Sequence, residues 1–216
     1  MFAFVSVRFI NSFMGTLIAL LLLSISVPSF GLDEARYVHG KMPNSIDRDG
    51  TWVAANVELW VDVDGRVDIC NLGVFVGDDQ LAQRICPILA DRKLDRGRGA
   101  EGQPSASRIR TRILVSPSDL PNLQTRMIAS LDRVGGLFLL DSTANAEKEA
   151  KVTVAIEVAY DGSVKACDAG RKKADRRLIE LACQMASERD HAVYRTGNGA
   201  AADYVTSFTV QFSKAA

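Results

Sequence analysis

Alternation of apolar and polar positions is the strongest signal in the chain. From Val57 to Cys70 the residues alternate as far as Asp64-Gly65, resume at Arg66, and end on a cysteine. A period of two predicts a half-buried strand, and Asp-Gly supplies the positive φ of a tight turn, so this stretch predicts a β-hairpin. The pattern occurs again from Val154 to Cys167, an offset of 97 positions. Held without a gap, that offset pairs Gly73 with Gly170, Leu81 with Leu178, Cys86 with Cys183 and Gly102 with Gly199. It also brings Ile113-Leu114-Val115 onto Val210-Gln211-Phe212. The chain contains a duplicated unit.

After each hairpin the period changes from two to that of a helix. Asp78-Asp79 offers a cap and an acidic first turn, and Leu81, Ile85, Ile88 and Leu89 form a core-facing stripe. Leu178, Leu181, Ala182 and Met185 repeat it. Pro87 predicts a kink or split in the first helix, and Gly73 and Gly170 predict the turns from strand to helix. Alternation returns at the end of each unit. Ile109, Thr111, Ile113 and Val115 alternate with Arg108, Arg110, Arg112 and Leu114, while Thr206, Phe208, Val210 and Phe212 alternate with Ser207, Thr209 and Gln211.

The expected fold is therefore α+β: two tandem β-β-α-β units, each a small antiparallel sheet with a helix on one face. Residues 1–31 form an apolar leader, 32–116 the first unit, 117–150 a connecting helix and linker, and 151–216 the second unit. In the connector, Leu123, Met127, Ile128 and Leu131 suit a short helix ended by Gly135-Gly136. Asn145 to Lys151 reads as solvated. The pattern leaves open whether the two sheets join.

Four cysteines allow three pairings. Duplication selects one, because a bond inside one unit should recur in the other: Cys70 with Cys86 and Cys167 with Cys183, each 16 residues apart. Zinc ligands normally come in pairs two to four residues apart and redox pairs as C-x-x-C, and neither spacing occurs. Disulfides require an oxidising compartment. The first 31 residues carry one charge, Arg8, and an apolar run from Phe13 to Val27 before Pro28-Ser29-Phe30-Gly31. That composition predicts an export signal, with an uncleaved inner-membrane anchor as the alternative. A membrane is a partner only in the second case.

Without the leader, 25 basic residues face 26 acidic ones, a formal balance of −1. Such a chain lacks the concentrated basic face of a nucleic-acid binder. Gly97-Arg98-Gly99-Ala100-Glu101-Gly102 matches G-x-G-x-x-G literally, but it leaves a helix and enters a strand, the reverse of a dinucleotide site. The basic run from Arg171 to Arg177 lies at a helix start, the poorer end for cations, and reads as a solvated face. His39 and His191 have no partner at ligand spacing, and no nucleophile-base set assembles. No enzyme, metal or cofactor is expected.

Taken together, the Asp-Gly hairpin, the cysteine closing it, the glycine three places later, the helix with Leu81 and Cys86, and the loop Gly102-Gln103-Pro104 before an alternating strand resemble the C-terminal domain of TonB-type energy transducers. The likeness is to its cysteine-stapled variant, over residues 52–116 and, with Ala201 replacing the proline, 151–213. Unlike a working transducer, the chain has only six prolines and no long spacer after its apolar start. The resemblance implies a periplasmic peptide-binding or adaptor module, linked to outer-membrane transport. A membrane-anchored transducer is the alternative. The partner would be an extended segment of an outer-membrane or periplasmic protein, added along the last strand as a sheet edge. The matching positions are Arg110, Thr111, Arg112, Ile113 and Leu114, and Ser207, Phe208, Thr209, Val210 and Gln211. Arginines on such an edge also serve to deter aggregation. Homodimerisation is left open.

Overall fold

A computed structural model describes residues 52–115, 123–135, 138–147, 149–169 and 174–214. The leader, with its export or anchor reading, His39 and Gly170 lie outside them. In chain order the elements are β1 (Val53–Val61), β2 (Val67–Gly77), α1 (Asp79–Ala90), β3 (Gly97–Arg98), β4 (Pro104–Val115), α2 (Leu123–Gly135), β5 (Ser142–Ala146), β6 (Ala150–Val158), β7 (Val164–Asp168), α3 (Arg176–Ser187), β8 (Tyr194–Arg195), β9 (Ala201–Ala202) and β10 (Tyr204–Lys214).

Duplication holds at the level of single bonds. Helices α1 and α3 start and end 97 residues apart, capped by Asp78 and Asp175 through their carboxylates. Gly65 and Gly162 take φ of 86° and 91° in the hairpin turns. A Cβ there would lie 2.4 Å from the Leu94 carbonyl oxygen and 2.7 Å from that of His191, which are themselves equivalent positions. Only glycine fits both the backbone and the close approach. Both disulfides form as the repeat requires, Cys70–Cys86 and Cys167–Cys183, each tying a hairpin's second strand to the helix that follows. They mark an oxidising, extracytoplasmic setting. No helix among the described residues is long and apolar enough to cross a membrane.

Each unit was expected to hold a small antiparallel sheet, with their joining left open; among the described residues the two are one mixed sheet of eight strands, ordered β2-β1-β4-β10-β6-β7 with β3 beside β4 and β5 beside β10, and β8 pairs with β9 apart from it. The halves join where their last strands pair in parallel, Ala106, Ser107 and Arg108 against Tyr204, Val205 and Thr206. Equivalent strands paired in parallel imply a pseudo-twofold axis along the strands, which exchanges the faces of the sheet. Accordingly α1 packs on Val53, Val57, Leu59 and Ile113 of one face. On the opposite face α3 packs with Val154, Ile156, Phe208 and Val210, and α2 buries Met127 and Leu131 against Ala54 there.

Side chains cross the junction in both directions. Trp60 points away from α1 and stacks on Tyr194, with ring centroids 5.1 Å apart, while Tyr204 meets it edge-on. The Tyr194 hydroxyl donates to Asp68 at 2.6 Å. In the reciprocal contact Gly97 lies under Val205, where a Cβ would come within 2.2 Å of its Cγ2, and the Ala100 amide donates to the buried Glu157 carboxylate at 2.7 Å. The G-x-G-x-x-G stretch is thus part of a hairpin that seals one half against the other.

Three local expectations are corrected. Pro87 does not split α1, which runs unbroken from Asp79 to Ala90; the carbonyl that loses its amide partner belongs to Gln83, on the exposed side of the helix. Gly73 forms a bulge opposite Asn56 instead of a turn, and β2 runs on to Gly77. Asn145 to Lys151 is not a solvated linker throughout, since β5 ends at Ala146 and β6 starts at Ala150.

Burial raises the Tyr204 phenol to about 12, with the Arg108 guanidinium opposing the shift, and raises that of Tyr194 as well. Raised phenol values in the folded state mean the unfolded chain ionises first. The stabilisation is complete below about pH 10 and is lost as pH climbs from there towards 12. Urea midpoints measured from pH 8 upward should hold, then fall above about pH 10, and Tyr204→Phe should shallow that fall.

Candidate functional site

The strands expected as free edges lie inside the sheet. β4 sits between β1 and β10, and β10 between β6 on one side and β4 and β5 on the other. The reason is mutual: each unit's last strand is the other's partner. Among the described residues the outermost strands are β2 and β7, with β5 beside β10.

Within this corrected frame the expected positions fall into distinct groups. Thr111 and Ile113 are buried on the α1 face, Leu114 packs towards α2, and Phe208 enters the second half's core. Arg112 pairs with Asp132 of α2, and Arg108 with Glu58. The arginines are engaged on a covered face instead of guarding an edge. Arg110, Ser207, Thr209, Val210 and Gln211 are brought together, at a fork in the sheet.

The fork arises because β4 and β10 keep their ladder for only three pairs, ending at Arg108 and Thr206. Beyond that point β5 takes over as the neighbour of β10, in parallel, from Val210 opposite Ser142 to Lys214 opposite Ala146. Asp141 sits at the branch. Its amide donates to the Thr209 carbonyl at 2.8 Å, and its carboxylate accepts from the Thr209 amide at 2.8 Å. Arg110 donates to the same carboxylate at 2.6 Å and reaches the Ser207 carbonyl at 3.5 Å. One residue therefore satisfies both backbone groups that Thr209 turns away from β6, and a charge-assisted bond holds it there.

Beyond the latch, β5 is a sparse strand. Its sequence is Ser-Thr-Ala-Asn-Ala, with Ala144 and Ala146 turned towards the α3 core and Thr143 and Asn145 exposed. At its far end an open cleft of 360 Å³ separates it from α3, lined by Ala146, Glu147, Arg177, Leu178 and Leu181. Leu181 is 37% exposed there. The equivalent residue of α1 is Arg84, so an apolar side chain has been placed where the repeat partner keeps a charge.

Sequence reasoning missed both Asp141 and β5. A run of small polar residues has no strand periodicity, and an aspartate before it reads as a turn residue. Elsewhere His191 places Nε2 2.8 Å from the Ala186 carbonyl and ends α3 structurally. No group of three or more potential metal ligands occurs among the described residues. No family model, curated protein or solved structure matches the chain.

Proposed function

We propose that this is an exported periplasmic protein, non-catalytic, that binds an extended segment of another envelope protein by strand addition along β10, as an adaptor linked to outer-membrane transport. One observation carries the reading: from Val210 to Lys214 the margin of β10 already accepts a short parallel strand from the connector, so its geometry is suited to an added strand. The two disulfides support export. The TonB-domain resemblance supports peptide capture as the mode.

Thr209 directs its amide and carbonyl to the fork, so by strand alternation Gln211 does the same. Gln211→Pro removes an amide from that margin and leaves the β6 side its bonds. Affinity capture from envelope extracts with the leaderless chain should retain a partner that Gln211→Pro loses at least tenfold. A photo-crosslinker at exposed Ser213 of β10, which leaves the backbone intact, should join the same partner. Equal capture by Gln211→Pro, or no crosslink at position 213, refutes strand addition here.

A further inference from the structure

We infer that β5 is a built-in stand-in for the partner: it occupies the β10 margin weakly and is displaced by an extended segment carrying a bulky aliphatic side chain where β5 has Ala146. The inference rests on the strand-addition reading and adds what the partner must look like and what it must remove.

Three features of β5 point to displacement. It is a sheet margin of five residues, with no strand on its other side among the described residues. Its inward side chains, Ala144 and Ala146, are the smallest that can face a core, so it contributes little apolar burial compared with β6, whose Val152, Val154, Ile156 and Val158 are all buried. Its two ends are fastened by polar contacts: the Asp141 latch at one, and at the other an ion pair between Arg177 and Glu147 whose side chains are 76% and 84% exposed. Exposed pairs of this kind hold little.

The cleft gives the competitor its chemistry. Ala146 faces Leu178 and Leu181 across open space, so a Leu, Ile or Met in that register would fill the cleft and cover Leu181. Outward positions match exposed Thr143 and Asn145 and call for small polar residues. The occupant is therefore an extended segment of alternating character, parallel to β10, with its largest aliphatic residue near the end. A mature chain that takes up such a segment exchanges one parallel strand for another, and only the side-chain burial differs.

The test uses the full leaderless chain and two substitutions of opposite sign. Ala146→Leu fills the cleft from within and should raise thermal stability while lowering partner capture at least tenfold. Asp141→Ala opens the latch and should lower stability, speed amide exchange over Val210–Lys214, and raise capture. A residue with a merely structural role would move stability and capture in the same direction. As a direct probe, a fluorescein-labelled peptide Ser-Thr-Ala-Asn-Leu-Glu should bind the Asp141→Ala chain at least tenfold more tightly than Ser-Thr-Ala-Asn-Ala-Glu. Capture unaffected by Ala146→Leu, or equal or absent binding of the two peptides, overturns the inference. If Gln211→Pro still abolishes capture in that case, strand addition stands and only the displacement of β5 falls.

Discussion

Full reduction of the chain is expected to cost it about 6 kcal/mol and leave it largely unfolded at 37 °C. Each bond closes a loop of 16 residues, worth about 3 kcal/mol in the chain-entropy account. The two lie in different halves and share no partner, so their effects should add. Against a total stability on the order of 5–15 kcal/mol, that loss removes much of the margin. The bonds also hold the outermost strands, β2 through Cys70 and β7 through Cys167, to their helices. Single removal by Cys70→Ser with Cys86→Ser should therefore speed amide exchange most in β2 and α1, and the Cys167–Cys183 counterpart in β7 and α3. Denaturant titration of each variant and of the reduced chain checks the sum, and equal stability with and without reductant would contradict it.

Trp60→Ala should cost about 3–5 kcal/mol, the range for emptying a buried aromatic site. Its ring is 6% exposed and is shared between halves: Tyr194 stacks on it, Tyr204 meets its edge, and the Arg108 guanidinium lies 5.3 Å from its centre. Because the contact spans the junction, the loss should appear in both halves. A single unfolding transition in the parent chain should become two, the second half melting apart from the first. Differential scanning calorimetry decides this, and one undivided transition at a lower midpoint would show that the ladder and the Gly97–Val205 and Ala100–Glu157 contacts couple the halves without Trp60. Trp60→Phe, which keeps a ring against Tyr194, should lose less than half as much.

The repeat made the local structure readable. An ungapped offset fixed the hairpins and the disulfide pairing, and Asp78 was legible as the cap of α1, because each depends on residues close in sequence or on symmetry between copies. What it could not supply was the relation between copies. Ile109 to Val115 and Thr206 to Phe212 alternate in the same way whether their outer backbone faces water or another strand, since alternation reports the faces of a sheet and is silent about its margins. Trp60 was legible as part of the first hairpin, but not as the bridge to Tyr194, 134 positions away. The candidate site followed the same rule. Thr209 and Gln211 were found from the strand they belong to, whereas β5 and Asp141 left no periodic trace.

The parallel pairing of equivalent strands bears on how many partners one molecule can hold. Two identical strands side by side and parallel cannot exchange bonds identically, and here Ala106 faces Tyr204, a step of 98 where the repeat is 97. A dimer of single units would have to break its symmetry at that seam, whereas one continuous polypeptide has it broken by construction. Among the described residues the connector gives a companion strand to β10 and none to β4. On the strand-addition proposal one chain should therefore capture one segment, and any gain from multivalency would come from assembling several copies.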